Sequence, residues 1–286
     1  RRADALAKAR CCRSYAVELD EHERVLRALA RDHACWRVAD LAVSGSDVMA
    51  ALGVSAGPAV GRALRDALAA VMGDDVAAVV VEPVQGENGA ISPPEGWLAG
   101  VRALCDEHGA LLWLDEVQTG IGRCGGWLAS ATEGVRGDVV TLAKGLGGGF
   151  PVGACVAVGD AATLLQAGHH GTTFGGNPLA ATVALTVLDV IESEGLLEHA
   201  RETGDWLAGA IEGLGLSEVS HVRGRGLLRG VVLNQPNARE VLAAALEAGF
   251  IVNAPRPDVL RLAPPLVVTR DELQLFVDAL PGLVRA

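Results

Sequence analysis

Short apolar runs that end abruptly in a charged residue set the rhythm of the middle of this chain. Residues 76–81 are an unbroken β-branched run followed by Glu82-Pro83, and 110–114 are a second run followed by Asp115-Glu116. A third, 138–143, ends at Lys144 and a Gly-Leu-Gly-Gly-Gly stretch. Runs this short, without helical spacing, read as buried strands of a parallel sheet. Between the first two, 94–108 has amphipathic helical spacing with Gly109 just past its end. His108 sits where a helix-terminal residue belongs. Further on, 179–214 reads as a long helix, a break and a second helix. Residues 221–233 read as strand, turn and strand, 238–248 as a helix, 250–253 and 259–265 as strands, and the tail from about Asp271 as a final helix. The first 73 residues read as helices. Ser46 caps one from Asp47, Gly53 ends it, and Gly57-Pro58 starts another with Val60, Leu64, Leu68 and Val71 on one face. The pattern predicts an α/β protein.

Charge divides the chain. Residues 1–73 carry 11 Lys+Arg against 9 Asp+Glu, whereas the remainder carries 13 against 26. The break at Gly73-Asp74 marks an expected boundary between a helical appendage, 1–73, and an acidic α/β part. That acidity argues against nucleic-acid binding there. No apolar run approaches membrane-spanning length, and no secretory leader is recognisable. The chain begins at Arg1, and a preceding start is expected. Six cysteines (Cys11, Cys12, Cys35, Cys105, Cys124, Cys155) show no metal-type or disulfide-type spacing, which fits a reducing cytoplasm.

The candidate chemistry lies at the strand ends. Ligands of open α/β sheets sit at the carboxyl ends of the strands, where Asp115 falls. Lys144 is the only lysine after Gly73, and the glycines behind it allow close approach of backbone. Taken singly, each has an ordinary reading: a surface charge for the lysine, a cap or turn former for the acid. Together they are what pyridoxal-phosphate chemistry requires, a lysine for the Schiff base and an acid for the pyridine nitrogen. That lysine works as a neutral amine, which a desolvated pocket favours. His169 and His170 lie on a glycine loop without a nearby third ligand, a poor metal site. Arg261, between apolar neighbours, needs an anionic partner and is equally consistent with a structural ion pair.

Three stretches, LDEVQTGIGRCG, TLAKGLGGGFPVGA and GTTFGGNPLA, in this order, resemble the class III pyridoxal-phosphate aminotransferases. Within that family the acetylornithine subgroup looks most similar, and VNAPRPDVLRLAPPL near the end tilts the same way. The resemblance runs from about residue 74 to 286. It implies a fold type I large domain at 74–190, a small α+β domain at 191–286, and pyridoxal 5′-phosphate as cofactor. It implies that Lys144 forms the Schiff base and moves the proton, and that Asp115 pairs with the pyridine nitrogen. Val117 then packs on the ring, Gln118 bonds its phenolic oxygen, and Gly120, Gly122 and Arg123 shape the following turn. Thr173 binds the cofactor phosphate of a neighbouring subunit, which requires a homodimer with shared sites. Arg261 grips the α-carboxylate of glutamate or 2-oxoglutarate, and Glu87 caps it when the other substrate is bound. Ornithine, succinylornithine and 4-aminobutyrate are the alternative amino substrates.

Two departures bear on that reading. Asn88 stands where glycine is commoner, and Cys124 where threonine is usual; Asn tolerates left-handed backbone. The family's earlier half of the large domain, with its phosphate loop, ring-stacking aromatic and distal-carboxylate arginine, has no counterpart before Val76. Uncovered sheet edge and core surface are therefore expected. Residues 41–73 resemble the C-terminal helical region of bacterial CCA-adding tRNA nucleotidyltransferases through Gly45, Asp47 and the Gly57-Pro58-Ala59-Val60-Gly61-Arg62 run. The alternative reading is thus a catalytically dead aminotransferase remnant joined to that helical tail.

Overall fold

The structure, a computed structural model, describes residues 65–66, 68–73 and 75–285. Helices read for 1–64 lie outside these residues. The end of the second is visible, where Ala70 N–H donates to Asp66 O and Met72 N–H to Leu68 O.

Two four-stranded sheets organise the rest. The first has β1 (Ala78–Val81), β2 (Leu111–Asp115), β3 (Val139–Leu142) and β4 (Ala154–Ala157) in that order. β1, β2 and β3 run parallel, and β4 closes the far edge antiparallel to β3. Parallel neighbours need a crossover, and α1 (Trp97–His108) provides it between β1 and β2. Its Leu98, Val101 and Cys105 pack on Val79, Leu112, Leu114 and Val140, the alternate residues of one sheet face. The helix begins at Trp97, not at Pro94, because Gly96 takes a left-handed φ of 75° and breaks the helical path. β4 had no distinct signal in the sequence, being a short, partly exposed edge strand.

The opposite face carries Val80 and Trp113, which are 41% and 37% exposed, and the exposed Cys155. Parallel sheets ordinarily bury both faces. Among the described residues no strand pairs with the outer edge of β1.

A long pair of helices follows, α2 (Pro178–Ser193) and α3 (Leu196–Gly213). Asn177 caps α2 by accepting from Ala180 N–H at 2.9 Å, with Pro178 in its first turn. The second sheet has the order β5 (Val219–Arg225), β6 (Leu228–Leu233), β8 (Val259–Leu262), β7 (Asn253–Arg256), all antiparallel. α3, α4 (Ala238–Glu247) and α5 (Arg270–Leu283) pack on it around Leu207, Ile211, Val231, Leu260, Phe276 and Leu280. Thr269 and Glu272 form a reciprocal capping box at the start of α5.

β7 is displaced from the apolar run at 250–253. Gly249, at φ 88°, ends α4, Phe250 N–H bonds back to Ala245 O at 2.8 Å, and the Phe250 ring meets Phe276 edge-on. Phe250 and Val252 pack on the core behind a helix stop while Ile251 points to solvent, and pairing starts only at Asn253.

Glycines of α3 give a test of this packing with opposite signs in one helix. A Cβ on Gly204 would lie 1.8 Å from Gly226 O in the β5–β6 turn, whereas one on Gly209 meets nothing within 4 Å. Gly204→Ala is expected to destabilise the protein by about 3 kcal/mol through overpacking against backbone. Gly209→Ala should stabilise it by about 0.5–1 kcal/mol. Thermal melts of the two variants check both signs.

Candidate active site

The carboxyl ends of β1, β2 and β3 bring Glu82, Asp115 and Lys144 to one edge of the first sheet. Asp115 is half-buried and its Oδ1 accepts from Val117 N–H at 3.1 Å and from Thr141 Oγ1 at 3.4 Å. Thr141 is its register partner on β3 and itself accepts from Trp113 Nε1 at 3.1 Å. Trp113, Thr141 and Asp115 thus form a chain of donors that orients the carboxylate. Asp115 Oδ2 has no partner among the described residues and remains free to accept one more donor.

Lys144 opens a one-turn 3₁₀ helix, Lys144–Gly147, with its own φ at 44°. A long side chain in left-handed backbone is an outlier costing roughly 1–3 kcal/mol, the kind of strain that collects at functional sites. Leu146 and Gly147 are buried behind it, and Gly147 approaches Val152 so closely that a Cβ there would lie 2.8 Å from the valine Cγ1. Lys144 is exposed, instead of lying in the desolvated pocket that its chemistry favours.

Glu87 lies on a tight turn after β1, where Gln85 and Ile91 bridge antiparallel. Its Oε1 pairs with Arg261 Nη1 at 2.8 Å and accepts from Gln118 Nε2 at 2.9 Å. Arg261 Nη1 also donates to Gln118 Oε1 at 3.1 Å, which closes a three-residue ring. Arg261 comes from β8, so the ring joins the two sheets. The hydrogen bond from Arg261 chiefly holds the Glu87 carboxyl below the usual carboxylate range, with Gln118 and the charges of Arg261 and Lys144 acting the same way. The pair is therefore intact at neutral pH and is lost as the pH falls through the lowered value. Glu82 shifts upward, chiefly because burial disfavours its charge, and the negative Asp115 and Glu87 add to this. The Gly86 N–H and Lys144 pull it back.

With this geometry in place, comparison with known proteins settles the family. The sequence profile "Aminotransferase class-III" matches residues 48–284. The chain belongs to the class-III aminotransferases. It is 56% identical over 219 residues to the acetylornithine aminotransferase of Streptomyces coelicolor, covering 76% of this chain and 54% of that one. It is 54% identical to the acetylornithine aminotransferase of Mycobacterium tuberculosis strain H37Rv, covering 77% and 55%. Among solved structures, the acetylornithine aminotransferase of Elizabethkingia anophelis matches at 38% identity with a TM-score of 0.72, over 79% of this chain and 58% of that one. The ornithine δ-aminotransferase of Plasmodium falciparum matches at 36% identity and TM-score 0.73, over 77% and 60%. The chain spans about half the length of the curated relatives it matches. The class-III match begins at residue 48, inside the expected helical appendage, most of which lies outside the described residues. These relatives do not favour the dead-remnant alternative.

The family's cofactor is pyridoxal 5′-phosphate. The donor set here fits its ring: a carboxylate with a free oxygen at Asp115, a strained lysine at Lys144, and the Gln118 amide beside them. Thr173 lies in an exposed loop, and no hydrogen bond joins it to this cluster.

One residue that holds this edge escaped the sequence reading. Glu116, next to Asp115, is 1% exposed and accepts from Ala129 N–H at 3.0 Å, Ser130 N–H at 2.8 Å and the Thr119 hydroxyl. It ties down the loop between β2 and β3. Arg123 braces the same loop against the second sheet, donating to Leu227 O at 3.2 Å and to Pro264 O. Cys124 fits its position as a small apolar group, packed with Val84, Ala90, Ala129 and Leu228. Burial, then the nearby Glu116, pushes its thiol up to about 12, so it stays neutral. Asn88 does not use left-handed backbone; Gly89 and Ala90 carry the positive φ values, 88° and 56°. Asn88 instead donates to Gln85 Oε1 at 2.8 Å.

Proposed function

We propose that this chain carries the lysine, the ring-binding groups and the carboxylate gate of a pyridoxal-phosphate-dependent aminotransferase. The amino substrate is N-acetylornithine and the acceptor 2-oxoglutarate, a step of arginine biosynthesis in the cytoplasm. The observation that carries the reading is the Glu87–Gln118–Arg261 ring beside Asp115 and Lys144. The choice of substrate is supported by relatives of 50–56% identity bearing the name acetylornithine aminotransferase. The domain division is 1–73, 74–190 and 191–286, with the site at the carboxyl edge of the first sheet.

When bound, the cofactor supplies an electron sink for the negative charge left on a carbon that loses its proton. Asp115 Oδ2 would accept the N–H of the ring and keep that nitrogen protonated. The Gln118 amide would bond the ring's phenolic oxygen, and Val117 would pack on the ring. Lys144 is the residue that would hold the cofactor, through its Nζ, and the same amine would serve as the base that moves the substrate proton. Arg261 presents parallel N–H groups to the α-carboxylate of glutamate or 2-oxoglutarate, a bidentate fit that a lysine would not give. Glu87 leaves Arg261 to admit that carboxylate and returns when the bound substrate brings none. Thr173 from a second copy serves the phosphate, so the working form is a homodimer.

The test is a donor panel: protein supplied with pyridoxal phosphate and 2-oxoglutarate, with N-acetylornithine, ornithine, succinylornithine or 4-aminobutyrate, scored by glutamate formed. N-acetylornithine is expected to give the highest kcat/KM. A tenfold preference for another donor would move the substrate assignment, and no glutamate from any donor in folded protein would overturn the activity.

A further inference from the structure

The turn that carries Glu87 is fastened on both sides of that residue, while the Glu87 side chain itself is 68% exposed. On the near side, Gly86 N–H donates to Glu82 Oε2 at 2.9 Å. On the far side, Arg223 of β5 donates from Nε to Gly89 O at 2.8 Å and from Nη2 to Asn88 O at 3.0 Å. Neither arginine contact involves a carboxylate; the guanidinium holds two successive backbone carbonyls. Close packing supports the same hold. A Cβ on Gly230 would lie 2.4 Å from Gly89 O, one on Gly89 2.8 Å from Val259 Cγ1, and one on Gly86 2.2 Å from the Gln118 amide. Val259 and Gly230 belong to the β6–β8 pairing, in which Gly230 is the register partner of Arg261. The turn is thus registered against the strands that carry its ion-pair partner.

We propose that Arg223 is a positioning residue that fixes the Glu87 turn, thereby sets how firmly Glu87 closes on Arg261, and so tunes the choice between substrates that present a carboxylate to Arg261 and those that do not. The substrate part of this rests on the aminotransferase reading; the mechanical part does not. With the turn fixed, opening needs only rotation of the Glu87 side chain, and closing returns it to a prepaid geometry. With the turn loose, each closure must also order backbone, so Glu87 competes less well with an incoming carboxylate.

Two variants remove the hold by different routes. Arg223→Met keeps the side-chain stem and deletes both donors, and Gly230→Ala pushes the Gly89 carbonyl from the other side. Arg223→Lys restores a single donor. The first readout needs no cofactor: titration of the Glu87 carboxyl by NMR in carboxyl-labelled protein, assigned with Glu87→Gln. The charged groups facing Glu87 are Arg261 from β8, Lys144 after β3 and Glu82 after β1, all retained in these variants. Arg223→Met and Gly230→Ala should move the Glu87 midpoint upward toward the ordinary range, and Arg223→Lys part of the way. An unchanged midpoint in variants that melt as one cooperative unit overturns the clamp. The second readout, in the cofactor-loaded enzyme, is the ratio of KM for 2-oxoglutarate to KM for the amino substrate. Arg223→Met should lower that ratio by about tenfold, the scale of one or two hydrogen bonds, with partial recovery in Arg223→Lys. A general structural defect would lower kcat for both and leave the ratio alone. A shifted midpoint with an unshifted ratio would overturn the specificity role, and absence of any cofactor-dependent activity would count against the aminotransferase reading while the titration still decides the clamp.

Discussion

Lys144→Ala is expected to lower kcat/KM for transamination by about 10⁴-fold or more, because the same Nζ supplies the covalent attachment and the proton transfer. No neighbour replaces it: Lys144 is the only lysine after Gly73, and the other groups at this edge are carboxylates, amides and the guanidinium of Arg261. The loss of activity should come with no loss of stability. Lys144 is exposed and sits at φ 44°, so its removal breaks no packing. Lys144→Gly goes further, because glycine adopts that backbone without the penalty an L side chain meets, and should raise stability by about 1 kcal/mol. Activity and thermal melts of the two variants check the pair of effects. Retention of activity within tenfold in Lys144→Ala would remove Lys144 from the mechanism.

Glu116→Ala carries the largest expected effect on stability, a loss of about 4 kcal/mol. The carboxylate is 1% exposed and both oxygens are engaged, Oε1 by Ser130 N–H and Oε2 by Ala129 N–H and the Thr119 hydroxyl. Alanine would leave two backbone donors and a hydroxyl buried without acceptors. The loop so released holds Ile121 at φ 53° and contacts the β5–β6 hairpin, where Leu227 N–H donates to Arg123 O at 3.0 Å. Its loosening therefore reaches both the Asp115 end of β2 and the second sheet. Glu116→Gln keeps an acceptor for part of this set and should cost about half as much. Denaturant melts of Glu116→Ala, Glu116→Gln and the parent order the three; equal stability of all would contradict the buried-anchor account.

The strand ends were legible because a parallel sheet writes itself as apolar runs, and the residue after each run falls at the ligand edge. That logic placed Asp115 and Lys144 side by side without any knowledge of contacts. Glu87 and Arg261 were joined only through family resemblance, since 174 residues separate them. The residues that hold the site were silent for the same reason. Thr141 reaches Asp115 across 26 residues and Arg223 reaches Asn88 across 135. Neither has a local pattern, because each partner is chosen by sheet register or by contact between the two sheets. Glu116 looked like a second acid at a strand end, and only its burial distinguishes it. The misplacement of β7 has a local cause: an apolar run behind a helix-stopping glycine looks like a strand until Phe250 is seen folded back on the core.

The measurement that bears most directly on the account is reductive trapping of the cofactor. Folded protein would be mixed with pyridoxal phosphate, followed for a visible absorption band, reduced with borohydride, digested and mapped by mass spectrometry. The chain contains only two lysines, Lys8 and Lys144, so the map has two possible addresses. The account predicts a band that disappears on reduction and a label on the Lys144 peptide, absent from Lys144→Ala. A label on Lys8 alone, or no label in protein shown to be folded, would contradict it.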